Sequence, residues 1–291
     1  CPLHIELNSG KIIKILNTED EFTSEDYDKY VKKGVERLVI EKGDAQEFVN
    51  GVCREITSIL NDAERSEENK VFDAHSVIMS TVSELGLSEK VIRAATQSVD
   101  HALGLFDKTP GFDKISKHIF GYPGKYLTTH SIALSYIAVS LLKNTNWDNH
   151  ETRNKMVLAA FLHDASIKTP EFTEQEFVDE TKMVHITSHP KDIQNLFEKI
   201  KNLPPDVDRI LLEHHERPNG SGYPKQLTGD QLHTLSCVFI FSHDIVNCIY
   251  KLKIADEEVS DASIRKMMNK DDYTTKNFIK CFEAFEKLTI F

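Results

Sequence analysis

Hydrophobic and polar positions alternate with a period of two over residues 3–16. Leu3, Ile5 and Leu7 share one face, Asn8-Ser9-Gly10 supplies a turn, and Lys11-Ile12-Ile13-Lys14-Ile15-Leu16 returns, which predicts a β-hairpin. A helix follows, capped by Thr23 or Ser24, with Glu25 and Asp26 in its first turn and Gly34 closing it after Lys32 and Lys33. Arg37–Glu41 reads as a third short strand, completing a small α/β unit. From Ala45 to about Leu105 the period becomes helical, with Phe48, Val52, Ile56, Ile59 and Leu60 on one stripe and a charged break at Glu64–Lys70. Pro110, Gly111, Gly121, Pro123 and Gly124 then form the densest group of breakers in the chain. They divide it into an N-terminal α/β and helical region, 1–115, with a regulatory or assembly role, and a helical domain, 116–291.

Beyond the breakers the apolar stripes predict five helices. His130 shares a stripe with Leu134, Ile137 and Leu141. His163 ends a helix through Met156 and Ala160, with Asp164 beside it. A third helix starts near Thr173 and runs through Phe177, Thr181 and Val184 towards His189. Val207, Ile210 and Leu211 lead to His214 and His215. A fifth carries Val238, Phe241 and Ile245, with Asp244 one position off that stripe. Seven metal-binding side chains thus fall at inward or helix-terminal positions of one bundle: His130, His163, Asp164, His189, His214, His215 and Asp244. Several imidazoles buried together are costly unless a cation or hydrogen bonds compensate them, so ligation is favoured over packing. His185 and His243 are set aside as neighbours of better candidates, although His185 replaces His189 if the third helix turns. His75 and His101 are lone histidines read as surface or supporting groups.

Composition narrows the partners. The 291 residues are 40% hydrophobic and 28% charged, with a net charge of −11, which suits a globular chain and argues against a long nucleic acid as partner. Five scattered cysteines lack any C-x-x-C spacing, so a reducing, cytoplasmic setting is expected. The longest apolar run found in this reading, Ile132–Leu142, is shorter than the ~20 residues of a membrane span.

The order His130-Ser131, His163-Asp164, His189-Pro190, His214-His215-Glu216, Asn219-Gly220-Ser221-Gly222-Tyr223-Pro224 and Asp244 resembles the HD-GYP domain of bacterial signalling proteins. The resemblance covers about residues 116–260. It implies a mainly α fold, a C-terminal helical HD-superfamily bundle with the small α/β region before it. It also implies a phosphodiesterase that hydrolyses cyclic di-GMP to the linear dinucleotide and onward to GMP, using two divalent transition-metal ions, iron or manganese. One ion would take His130, His163, Asp164 and Asp244; the other would take Asp164 as bridge with His189, His214 and His215. Asp164 and Lys168 would serve catalysis, and Glu216 would orient a ligating imidazole. Asn219, Gly222, Tyr223 and Lys253 would face the substrate, and the Gly-Tyr-Pro loop would meet protein partners. Dimerisation is open. The chain departs from the family pattern in Ala165-Ser166-Ile167-Lys168, which displaces the lysine by one residue, in Tyr126 where some members carry a third-metal glutamate, in Asn219 for aspartate, and in Asp256 for a second basic residue. A weakly active module that binds cyclic di-GMP or proteins is the alternative reading.

Overall fold

A computed structural model describes residues 1–291 except 8–9, 19, 36–37, 123–125, 168–187, 198–199 and 201–202. Lys168, His185 and the predicted third helix up to residue 187 lie outside the described residues. Two compact units are present, Cys1–Glu55 and Ile56–Phe291.

In the first unit, β1 (Leu3–Glu6), β2 (Ile12–Leu16) and β3 (Leu38–Val39) form an antiparallel sheet in the order β2-β1-β3. Ile5 faces Ile13 in the hairpin, and His4 faces Val39. Gly10, at φ +75°, donates its N–H to the Leu7 carbonyl and so turns the hairpin. Helix α1 (Ser24–Lys32) resolves the two cap candidates in favour of Thr23, which forms a reciprocal capping box with Asp26. Helix α2 (Ala45–Asn61) runs across the division between the units.

The second unit is helical among the described residues: α3 (Glu67–Leu85), α4 (Glu89–Lys108), α5 (Phe112–Gly121), α6 (Tyr126–Leu142), α7 (His150–Leu162), α8 (His189–Phe197), α9 (Val207–Glu213), α10 (Thr234–Ile254), α11 (Asp261–Met267) and α12 (Lys276–Lys287). The division falls well before the breaker-rich segment 108–124 because α3 packs on α4, and both pack on α7, inside the helical body.

Every residue of α6 except Ser140 is buried, the pattern of a helix surrounded by protein rather than one with a single apolar stripe. Helices α6, α7 and α10 pack on one another and make the centre of the unit. They carry Phe161, Phe239, Phe241 and Tyr250, each fully buried, and burying a side chain of that size stabilises by about 1.5–3 kcal/mol. Helix α10 is also long and apolar enough to cross a membrane by length and composition, but most of it is buried inside this bundle.

Candidate metal centre

Two helix ends open the site. Helix α7 stops at Leu162, and His163 donates Nδ1–H to the Ala160 carbonyl at 2.8 Å. Helix α9 stops at Glu213, and His214 donates Nδ1–H to the Leu211 carbonyl at 2.7 Å. Each imidazole satisfies a carbonyl that the helix end leaves without a partner. Because the carbonyl can only accept, the proton sits on Nδ1, and Nε2 of both rings turns a lone pair inward. Both helices also direct the negative ends of their dipoles at this place, which favours a cation there.

Two groups of three imidazoles result. His130 from α6, His163 after α7 and His243 from α10 each bring one ring nitrogen within 4.8 Å of the others, and so do His189, His214 and His215. All six are buried. Asp164, 1% exposed, spans the two groups: its Oδ2 lies 3.0 Å from His163 Nε2 and its Oδ1 lies 3.3 Å from His189 Nε2. These approaches are close without being aligned as hydrogen bonds. Among the described residues, His163 Nε2, both oxygens of Asp164 and His215 Nε2 are buried with no hydrogen-bond partner.

Four such atoms would cost roughly 4–12 kcal/mol at 1–3 kcal/mol each, comparable with the ~5–15 kcal/mol that stabilises a whole domain. A cation among them removes that cost. The donor set fits one: in each triad three imidazole nitrogens lie within 4.8 Å of one another, and neutral imidazole is a ligand that divalent transition metals favour. The protonation states also fit. Burial, reinforced by the neighbouring His163, pushes His130 down to about 3. Burial and the adjacent imidazoles hold His214, His215 and His243 well below the ordinary histidine range. Burial works against the Asp164 carboxylate, but His163 and His189 outweigh it and keep its pKa well below the usual value. Neutral imidazoles and an ionised carboxylate are the ligating forms.

The structure corrects the sequence reading at several positions. Asp244 does not join the first triad. Its Oδ1 accepts from Arg217 Nη1 at 2.6 Å and its Oδ2 accepts from the Tyr273 hydroxyl at 2.8 Å. His243, set aside from the sequence, takes its place. The reason is that α10 is buried on two faces. Phe241, on the predicted stripe, packs against Tyr273, Phe282 and Phe285. The opposite face carries Phe239 against His163 and His214, His243 one turn on, and Tyr250 against His130. The i, i+4 spacing of Phe239 and His243 is the signal in the sequence that finds this face.

His189 is the first residue of α8, and the helix expected to lead towards it falls outside the described residues. Glu216, fully buried, accepts the backbone N–H groups of Lys225 and Leu227 at 2.6 and 2.9 Å, so it holds the following loop instead of an imidazole. Asn219 is exposed, and its Oδ1 accepts from Ser221 N and Oγ, which makes it a turn-forming residue. Gly222 is packed against the backbone of Glu216 and Arg217, where an added Cβ would lie 2.3 Å from Arg217 N.

Tyr223 does stand at the site. Its ring stacks on His215 with centroids 4.8 Å apart, and burial followed by the Asp164 charge raises its pKa. Lys253 sits over the Phe120 ring at 4.4 Å and near Tyr250. The Tyr126 hydroxyl lies 3.1 Å from His130 Nδ1. His75 is fully buried rather than at the surface and bonds the Phe161 carbonyl through Nε2 at 3.1 Å, whereas His101 is part exposed near Glu67.

Comparison with known proteins gives one family and one fold. The HD domain family matches residues 105–256. A solved structure described as an HDG"Y"P protein from Bdellovibrio bacteriovorus superposes with a TM-score of 0.56 at 15% identity, covering 98% of this chain and 93% of that one. No curated protein matches the chain.

Proposed function

The chain belongs to the HD domain family, and from that premise we propose that it is a binuclear-metal phosphodiesterase acting on cyclic di-GMP. His130, His163 and His243 would hold one ion, His189, His214 and His215 would hold the other, and Asp164 would contribute to both. The observation that carries this reading is the division of the Asp164 oxygens between His163 of one triad and His189 of the other. A carboxylate with one oxygen to each side keeps two cations at a fixed separation. The Gly222-Tyr223-Pro224 loop, through its resemblance to the HD-GYP pattern, supports a cyclic dinucleotide as substrate, and the likeness to an HDG"Y"P structure supports the fold that carries the loop. In this reading the N-terminal region, residues 1–115, carries regulation or assembly.

Such ions supply an acidified water as nucleophile near neutral pH and polarise the phosphoryl oxygens. The chain's own residues arrange everything else. His163 and His214, each locked by a backbone carbonyl, present Nε2 at a fixed angle. Tyr223, stacked on His215, offers a ring edge and a hydroxyl to a base or phosphate. Glu216 ties the loop that carries Tyr223. With His243 in place of Asp244 the ligands number six imidazoles and one carboxylate, a set that moves the metal choice from manganese towards iron.

A second reading, a module that binds cyclic di-GMP without efficient turnover, is favoured by two features: Lys253 is engaged over Phe120 and Tyr250, and Asp256 stands where a second basic residue is expected. Elemental analysis of anaerobically reconstituted protein is expected to give two equivalents of transition metal. Chromatography of its reaction with cyclic di-GMP is expected to show the linear dinucleotide. Metal-dependent binding without product selects the second reading, and no metal-dependent binding rejects both.

A further inference from the structure

Arg217 follows the His214-His215-Glu216 run by one residue and is tethered at one end only. Its Nη1 donates to Asp244 Oδ1 at 2.6 Å, and the other oxygen of Asp244 accepts from the Tyr273 hydroxyl at 2.8 Å. A guanidinium has five N–H donors. Among the described residues no hydrogen bond is made by its Nε or Nη2, and 37% of the side chain is open to solvent. Gly222 packs on the Arg217 backbone, and Tyr223 beside it donates its backbone N–H to the His215 carbonyl and stacks on the His215 ring, so the loop bearing Tyr223 lies against Arg217, whose charge acts on the Tyr223 phenol. The contacts therefore run from Tyr273 through Asp244 to Arg217, and from His215 to Tyr223 in the loop that packs on the Arg217 backbone.

We propose that Arg217 is a phosphate-binding residue at this centre, taking non-bridging oxygens of a phosphodiester with its free guanidinium edge, and that Asp244 and Tyr273 are positioning residues that aim it. The proposal rests on the phosphodiesterase reading for its substrate. Its logic is electrostatic. Two divalent cations held by six neutral imidazoles and one carboxylate would leave a strongly positive centre, and a bare guanidinium beside it would be repelled. Asp244 offsets that repulsion while leaving the outward N–H groups free, so the fork is aligned before an anion arrives. The arrangement also supplies a cation close to the Tyr223 loop, where Lys253 is engaged elsewhere. It gives Asp244 a role that needs no metal.

The test uses the full metal-loaded chain and Arg217→Ala, Arg217→Lys, Asp244→Asn and Tyr273→Phe variants. Metal content, melting temperature, calorimetric binding of cyclic di-GMP and of inorganic phosphate, and the separate kcat and KM on cyclic di-GMP are measured. Arg217→Ala is expected to weaken both ligands on the order of 10- to 100-fold, with metal content unchanged. Arg217→Lys should fall in between, since it keeps the charge without the planar fork. Asp244→Asn and Tyr273→Phe should raise KM several-fold with two metals retained. Unchanged ligand binding and KM in Arg217→Ala, with only a lower melting temperature, would make the pair a structural tether and overturn the proposal. Loss of one metal equivalent in Asp244→Asn would overturn it too, by returning Asp244 to the ligands. Wild type that binds phosphate through Arg217 but ignores cyclic di-GMP leaves the subsite standing and removes the cyclic di-GMP reading instead.

Discussion

The two imidazole triads are built from different material. His130, His163 and His243 come from α6, α7 and α10, which are 17, 13 and 21 residues long and pack on one another at the centre of the bundle. His189, His214 and His215 come from the start of α8, 9 residues long, and from the end of α9, 7 residues long, and are held by the loop that follows. A metal site on long packed helices inherits the rigidity of the core. One on short helices and a loop depends on local ties and is the easier to perturb. The difference teaches that the first site is specified by core packing and the second by a few hydrogen bonds and one close backbone approach.

The group common to both is the place where the comparison breaks down entirely. Asp164→Ala removes the carboxylate that spans the triads, and metal content is expected to fall from two equivalents to well under one, with activity down by a factor on the order of 1,000 or more. Retention of both ions in this variant would dissolve the shared-carboxylate reading.

Single-triad substitutions should then separate the halves. His243→Ala is expected to lose about one equivalent while the second ion stays, and His215→Ala to do the reverse. Elemental analysis of each variant at limiting metal reads this directly. If His243→Ala kept both ions and Asp244→Ala lost one, α10 would have to present its other face.

That outcome bears on what the sequence could convey. The helical bundle, the hairpin, and His130, His163, Asp164, His189, His214 and His215 as neighbours were all legible, His130 from the apolar stripe it shares and the others from their places beside helix ends. His243 was not. A stripe argument assumes one buried face, and α10 has two, so Val238, Phe241 and Ile245 marked the face towards α12 and not the one towards α6 and α7. Glu216, Asn219 and Gly222 were visible as a motif, but what they do is packing and turn chemistry that only the folded loop reveals. Arg217 and Tyr273 are 56 residues apart, and nothing local announces that they meet on Asp244.

A smaller effect should reach the second triad alone. In Gly222→Ala the new Cβ would overlap Arg217 N and Glu216 Cα, which are backbone atoms with little room to retreat. The loop must shift, carrying Tyr223 and the Glu216 ties with it. The expected result is destabilisation of about 1–3 kcal/mol, weaker binding of the second ion and unchanged occupancy of the first. Equal weakening of both sites would mean that the loop supports the whole centre.

The smallest effect expected concerns the first triad through His75, which touches no ion. It bonds the carbonyl of Phe161, two residues before His163, and its ring lies 4.3 Å from the Phe161 ring. Burial pushes its pKa down to about 4, against an ordinary value of 6.5. The unfolded chain therefore binds a proton on this ring below about pH 6.5, while the folded chain resists until about pH 4. Stability from neutral His75 is fully present above pH 6.5 and is lost as the pH falls through that window, with a slope of one proton. In His75→Phe the ring packing is kept and the titration removed, so denaturant unfolding between pH 7 and pH 4 should lose stability less steeply than wild type by up to one proton per molecule. The lost bond to the Phe161 carbonyl should cost about 1 kcal/mol at pH 7, where first-ion occupancy should change little. Identical pH slopes in the two proteins would show that His75 does not stay neutral in the fold, and a lost first ion would make α7 far less rigid than its packing implies.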